Sequence, residues 1–177
     1  MFNVDRSTTI PGMLKPAGAR GSRRAQALTG VELDAWRSYL HSHVTITRVL
    51  DAELEAGHGL TLSDYEVLLY LAQARERRLR MSELTERVML TKSGISRLVD
   101  GLERSRLVQR VACPEDARVS YAQLTDAGYE KLREAARTHL DGVRRLFLAH
   151  FSEEETEGLA ALLSRLPGVS GEPCSVE

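Results

Sequence analysis

The stretch of this sequence with the clearest chemical potential runs from Thr91 to Arg106. Four apolar residues fall at i, i+3, i+4 and i+7, the spacing of one stripe of an α-helix: Ile95, Leu98, Val99 and Leu102. Thr91 stands where an N-cap hydroxyl accepts from a first-turn N–H. The opposite face is small or basic in its first two turns and carries no acid there, so it can approach DNA phosphates without repulsion. An ordinary amphipathic surface helix has the same pattern, so the flanking sequence must decide.

Composition places the chain among ordinary globular proteins. It has 177 residues, long enough for one domain with a substantial core, with 42% hydrophobic and 28% charged residues. No apolar run approaches the length of a membrane span, and the beginning does not resemble a signal peptide. Cys113 and Cys174 do not form a disulfide framework. We therefore expect a cytoplasmic protein without cofactor.

The net charge of −1 conceals an uneven distribution. Residues 75–118 contain eleven Arg or Lys against seven Asp or Glu, whereas residues 150–177 contain one Arg against six Glu. The basic region contains the polar face of the Thr91 helix described above, so it favours a surface that meets a polyanion. A solvated surface without a partner would show the same modest excess.

Long helices are predicted at both ends of the chain. Residues 31–57 keep apolar positions three or four apart, and a helix of that length is about 40 Å long, more than one small domain needs to cover itself. Thr125 begins another helix that is predicted to continue to His150, and Ser152 to Glu155 form a capping box for a last helix that ends by Leu166. Residues 1–29 are interpreted as a flexible basic arm, and residues 167–177 as a flexible tail.

Between the long helices the elements are short. Thr61 to Asp64 form the N-cap of a second helix, and a third runs from Ser82 to Val88 before the Thr91 helix. Two β-prone runs follow, residues 107–111 and 119–124, joined by a charged loop. Two short helices and a hairpin in this order predict a winged helix-turn-helix over about residues 61–124. The fold class is mainly α with a small β-hairpin wing, flanked by long N- and C-terminal dimerisation helices.

At this point the sequence resembles the MarR family of bacterial transcription regulators. Asp116-Ala117-Arg118, followed after five residues by Leu124-Thr125, fits the family's D-x-R-x-x-x-x-x-L-T wing pattern. Residues 96–100 with Leu102-Glu103, and Leu60-Thr61 with Val67-Leu68, fit its helix patterns. The match covers a MarR-type domain over about residues 30–166. Gly94 and Gly101 depart from it, standing where many relatives carry a bulkier residue and a basic residue respectively.

The resemblance implies a homodimer in which helices from about residues 31–57 and 125–166 interlock. Each subunit would place its recognition helix in the major groove and its wing in the minor groove of a pseudo-palindromic double-stranded DNA operator. It also implies a repressor whose binding is relieved by a small-molecule effector. The stripes of apolar residues at both ends of the chain independently favour a two-fold dimer.

Arg118 is the first candidate for a DNA contact, because a wing-tip arginine can enter the narrow minor groove while Asp116 orients its guanidinium. A surface ion pair of little energetic value is the alternative. Arg97 has the reach for bidentate contact with guanine, and the serines suit phosphates. The complete set of predicted DNA-contacting residues is Ser82, Thr91, Lys92, Ser93, Gly94, Ser96, Arg97, Asp116 and Arg118.

A pocket for an aromatic or anionic effector, between the dimer helices and the winged domain, is implied by the family. Its candidate residues are Trp36, Tyr39, His43, Arg48 and Tyr65. The alternative is that Trp36 and Tyr65 lie in the core while the others are interface or surface residues.

Other chemistries have weaker support. Cys113 precedes a charged loop near Arg110, which raises a redox-switch hypothesis, although a lone cysteine is more often inert. The five histidines show no H-x-x-x-H spacing, so a metal site would need assembly across a dimer. No catalytic motif is present, and an enzyme is not expected. A winged-helix module that binds protein rather than DNA, and a redox- or metal-responsive regulator of the same fold, remain alternatives.

Overall fold

The computed structural model describes residues 27–88, 90–112 and 119–167. Six α-helices and a three-stranded antiparallel sheet make up this part of the chain, which confirms the predicted fold class. Most of the predicted arm and tail lies outside the described residues, and so do Cys113, Asp116 and Arg118.

The first helix, α1, spans Gly30–His58, within a residue of the predicted bounds. Thr29 caps it: the Glu32 N–H donates to Thr29 Oγ1 at 3.3 Å, and the Thr29 N–H donates back to Glu32 Oε2 at 2.7 Å. The second bond lowers the pKa of Glu32, because it stabilises the carboxylate. Gly59 ends the helix at φ 64°, where its N–H reaches Glu55 O.

The helix-turn-helix consists of α2 (Leu62–Gln73), α3 (Met81–Arg87) and α4 (Lys92–Arg104). Thr61 and Asp64 form the predicted capping box of α2. The Leu62 N–H donates to Asp51 Oδ1 at 2.7 Å and so joins the beginning of α2 to α1. One apolar core unites these helices with α1 and the helix that follows the hairpin, and its fully buried members include Leu54, Leu68, Leu71, Leu84, Ile95 and Val99.

The sheet has the order β1-β3-β2, with β1 at Arg78–Arg80, β2 at Val108–Ala112 and β3 at Ser120–Leu124. Strands β2 and β3 are the predicted hairpin, paired with Arg110 opposite Ala122. Strand β1 was not predicted, because it has three residues and two of them are arginines. It forms because β3 supplies the partner edge, which places Leu79 opposite Ala122 inside the core.

The C-terminal helices are α5 (Asp126–Leu146) and α6 (Glu153–Leu163). The prediction of one helix to His150 is wrong in its last turn. Phe147 leaves helical geometry at φ −124° and ψ −64°, and a 3₁₀ turn, Leu148–His150, precedes the capping box at Ser152. Gly142 brings α5 close to α1, since a Cβ atom there would lie 2.5 Å from Leu50 Cδ2. The Thr138 hydroxyl and His58 Nε2, 2.8 Å apart, add a polar link between the two helices.

Candidate nucleic-acid interface

The first turn of helix α4 is capped by a side-chain hydrogen bond. Thr91 Oγ1 accepts from the Gly94 N–H at 3.1 Å, as the sequence predicted for an N-cap. A Cβ atom on Gly94 would lie 3.2 Å from that same oxygen, so a larger residue would crowd the cap. Gly94 therefore serves the geometry of the helix start. The first turn also directs free N–H groups and the positive end of the helix dipole outward.

The predicted stripe of α4 faces inward and its polar face outward. Ile95, Val99 and Leu102 are buried, whereas Lys92, Ser93 and Arg97 are exposed. Arg97 Nε donates to Ser93 O at 3.1 Å, so the guanidinium lies along the helix and its remaining N–H groups face solvent. No acid occupies this part of the surface of α4, which suits contact with DNA phosphates and base edges.

Arg110 on β2 links α4 to the hairpin through ion pairs and hydrogen bonds. This role was not predicted from the sequence. Its Nη2 lies 2.5 Å from Asp100 Oδ1, and its Nε lies 3.4 Å from Glu103 Oε2. The same Nη2 lies 3.4 Å from both Ser96 O and Ser96 Oγ, and the Arg110 N–H donates to Glu103 Oε1 at 3.2 Å. Arg110 thereby neutralises the two acids of α4 and orients the helix relative to the wing. The i,i+3 spacing of Asp100 and Glu103 ahead of an arginine-bearing strand was the available signal.

A cleft of about 400 Å³ separates the beginning of α3, α4 and the hairpin. Three predicted DNA-contacting residues, Ser82, Lys92 and Ser96, line it together with Arg80 and Arg110. Thr91, Ser93, Gly94 and Arg97 lie beside it at the start and along the exposed face of α4. Seven of the predicted residues thus belong to one surface.

Ser82 lies at the start of α3, where the sequence also allows it to act as an N-cap, but it does not cap the helix. The helix begins at Met81 with Arg80 as its N-cap residue, so Ser82 lies inside the first turn with an exposed side chain. The Arg80 N–H donates to Glu83 Oε2 at 2.8 Å and closes this start of the helix.

The candidate effector residues divide into two groups. Trp36, Tyr39 and His43 stack along α1 with ring centroids 6.0 and 6.3 Å apart. Tyr39 and His43 line an apolar cleft of about 440 Å³ that Phe147, Phe151, Leu159 and Leu163 close from the other side. Arg48 does not line this cleft, and Tyr65 is 3% exposed in the core.

Tyr65 packs against His139 of α5, with ring centroids 4.5 Å apart. Desolvation lowers the pKa of His139 below its usual value of 6.5. His139 Nδ1 is buried without a hydrogen-bond partner among the described residues. Burial likewise raises the pKa of Glu66 on α2. The stability of the folded protein therefore depends on the protonation of His139 and Glu66. Neither residue belongs to the DNA-facing surface.

Within the described ranges, no group of three or more His, Cys, Asp or Glu side chains is placed to hold a metal ion. The same part of the chain contains no helix long and apolar enough to cross a bilayer.

Helix α4, its exposed basic face and the adjacent hairpin define the chain as a winged helix-turn-helix protein of the DNA-binding class. A sequence model of the MarR family matches residues 58–119. The transcriptional repressor YetL of Bacillus subtilis is 32% identical over 111 residues, 63% of this chain and 66% of the relative. The regulator YdgJ of the same species is 30% identical over 121 residues, 68% of this chain and 72% of the relative.

Solved structures agree with these sequence matches. The MarR family regulator Sco3205 of Streptomyces coelicolor, crystallised in complex with DNA, has a TM-score of 0.75 and 35% identity, covering 80% of this chain and 89% of that one. AbsC of the same organism has a TM-score of 0.73 and 35% identity, covering 78% and 93%. The chain belongs to the MarR family and is a transcription regulator; these relatives are regulators rather than enzymes.

Proposed function

We propose that this chain is a repressor that binds a pseudo-palindromic double-stranded DNA operator as a homodimer. The observation that carries the proposal is the acid-free, basic first half of the exposed face of α4, held against the hairpin by Arg110. Lys92 and Arg97 extend from this face, and Ser82 and Ser93 add hydroxyls suited to phosphates. A dimer would place two such faces about one helical turn apart, roughly 34–36 Å.

Dimerisation is supported by the apolar surface of the terminal helices. Trp36 is 53% exposed and Val44 60%, and Leu148, Phe151, Leu162 and Leu166 are exposed at the other end of the chain. Apolar residues this numerous on neighbouring helices are typical of an obligate interface. The division into an arm (1–29), a MarR-type domain (30–166) and a tail (167–177) remains a prediction, as does the placement of Asp116 and Arg118 at the DNA.

An effector that relieves repression is the second part of the proposal. The cleft beside Tyr39 and His43 would accept an apolar or aromatic molecule, and it lies on the same surface as the dimer-forming residues. A ligand that fills it would alter how the two subunits pack and therefore the spacing of their recognition helices. Salicylate and related aromatic acids, added to the dimer in a thermal-shift assay, should raise its melting temperature and weaken DNA binding; a stabilising ligand that leaves DNA binding unchanged would contradict the effector role.

The DNA proposal is tested by selecting duplexes from a random pool and measuring their affinity by fluorescence anisotropy. The double variant Lys92→Ala/Arg97→Ala should lose most sequence-specific binding, because it removes both cations from the first half of the exposed face of α4. The double variant Arg133→Ala/Arg144→Ala is the matched control, since both arginines are exposed on α5 and pair with acids three residues away.

Undiminished binding by the Lys92→Ala/Arg97→Ala protein, with its fold intact by circular dichroism, would refute the proposed interface. If the confirmed dimer selects no duplex even at low salt, the alternative of a protein-binding winged-helix module is favoured. Because the proposed partner is DNA, we also propose a cytoplasmic location at the nucleoid.

A further inference from the structure

A second basic surface lies beside β1 and shares Arg80 with the α4 cleft. An open groove of about 1130 Å³ runs between the end of α2, β1 and the outer side of α3. Its cationic lining consists of Arg75, Arg78, Arg80 and Arg87, and Tyr121 of β3 also lines it. We call it the β1 groove. The proposed DNA contacts do not use it.

The two acids that line the β1 groove already have interaction partners within the protein. Glu76 pairs with Arg78, with Oε2 and Nη2 2.6 Å apart, and Glu83 accepts the Arg80 N–H at the start of α3. Arg75 and Arg87 are exposed, and neither has a carboxylate within 4.0 Å among the described residues. Two guanidinium groups therefore face the groove without a neutralising partner.

Aromatic rings position the guanidinium groups. Arg78 lies 5.3 Å and Arg80 5.8 Å from the centroid of Tyr121, and Arg87 lies 5.9 Å from that of Tyr70. A guanidinium held over a ring keeps the N–H groups at its edge available for anions. The turn before β1 is held as well: Glu76 and Arg77 adopt positive φ, while Arg77 stacks on Tyr129 at 4.1 Å and pairs with Asp126. This turn directs Arg75 and Arg78 to the same groove.

The β1 groove adjoins the proposed DNA-facing cleft, because Arg80 lines both. An open groove of this volume, lined by four arginines, fits a chain of phosphates better than an enclosed metabolite. Resting on the proposed function, we propose that the β1 groove binds the phosphate backbone of DNA that flanks the operator, with Arg75 and Arg87 as its principal contacts. The groove thereby extends the protein–DNA interface beyond the recognition helix and wing without adding sequence specificity.

The test compares two duplexes, one limited to the sequence selected from the random pool and one extended by about one helical turn of arbitrary sequence on each side. Affinities are measured for both over a range of salt concentrations. Wild-type protein should bind the extended duplex more tightly and with a steeper salt dependence. Arg75→Gln/Arg87→Gln should bind the short duplex as wild type does and lose the gain from the flanks. Its salt slope on the extended duplex should fall by about one for each contact removed.

Two further variants keep the result interpretable. Arg133→Gln/Arg144→Gln makes the same change in net charge on α5 and should behave as wild type. Arg75→Lys/Arg87→Lys preserves the charges and should retain most of the salt slope, which a purely structural role would not produce. Melting temperatures verify that each variant is folded.

Several results would overturn the inference. They are an unchanged flank effect in Arg75→Gln/Arg87→Gln, an equal loss on both duplexes, or an equal loss in the α5 control. Inorganic pyrophosphate that binds the wild-type protein in the β1 groove and weakens both duplexes equally would instead assign the groove to a free anion. Failure to select any duplex would refute the proposed function itself, so the two failures are distinguishable.

Discussion

Replacing Arg110 by methionine should uncouple the recognition helix from the wing while keeping the apolar stem of the side chain. Arg110 is 28% exposed and contacts Asp100, Glu103 and Ser96. Ion pairs exposed to this degree contribute roughly 0.2–1 kcal/mol each, so we expect Arg110→Met to lower the free energy of unfolding by about 1–2 kcal/mol. Urea denaturation followed by circular dichroism measures this change.

DNA binding should weaken as well. Without Arg110, Asp100 and Glu103 become uncompensated on the DNA-facing domain. A carboxylate on the order of 8 Å from a phosphate is repelled by roughly 0.5 kcal/mol in water. Two carboxylates facing two phosphates form four such pairs, and about 0.1 M salt screens the repulsion about twofold. The total cost is about 1 kcal/mol, which is roughly fivefold in affinity per protomer. Fluorescence anisotropy with the selected duplex provides the measurement.

The control is a charge rescue. Arg110→Met/Asp100→Asn/Glu103→Gln removes the uncovered acids and should recover most of the lost affinity, even though the helix remains unfastened. If the triple variant binds as weakly as Arg110→Met, then Arg110 contacts DNA itself and the charge-covering argument is wrong. Unchanged binding by Arg110→Met would refute any role for this residue.

Three other predictions concern stability, pH and assembly. Gly101→Ala should stabilise the fold by about 0.5–1 kcal/mol, because the new Cβ would meet only Arg104 Nη2 at 3.8 Å. Gly128→Ala should instead lower the free energy of unfolding by about 2 kcal/mol or more, because its Cβ would lie 2.0 Å from Leu107 O. Similar effects of the two variants on urea denaturation would contradict this prediction. Burial lowers the pKa of His139 in the folded protein below 6.5, so the unfolded chain binds the proton first as pH falls, and stability should decline below about pH 6.5. The melting temperature of His139→Gln should decline less steeply over the same pH range than that of the wild-type protein. Parallel curves of melting temperature against pH would disprove this prediction. Val44→Glu should shift the protein to monomer in sedimentation experiments, because this 60% exposed side chain lies in the proposed interface, and an intact dimer would place that interface elsewhere.

Much of the helical framework could be predicted from local sequence. The caps at Thr61, Thr91, Thr125 and Ser152 all form as expected, because an N-cap hydroxyl and its N–H partner lie within three residues of each other. The inward stripe of α4 was predictable for the same reason, since its period is a local property. The resemblance to the family followed from the wing pattern at residues 116–125 and from the helix patterns, taken in their order along the chain.

Features that depend on distant partners could not be predicted. Strand β1 exists because β3 lies beside it, and Arg110 reaches Asp100 only after the hairpin folds back on α4. The sequence likewise could not separate Tyr65 from Trp36 as pocket or core residues, because packing against His139 buries the first while the second remains 53% exposed.

The Thr91 helix shows the division most clearly. By itself the sequence determined that residues 92–104 form a capped helix with one apolar and one basic polar face, because both properties depend on neighbours within a few turns. Only the tertiary structure decided that its acids are covered by Arg110, that Ser82 and Ser96 share a cleft beside it, and that a further basic groove beside β1 shares Arg80 with that cleft. Electrostatic surfaces of this kind sum charges from segments far apart in the chain, and their sum exists only once those segments are packed together.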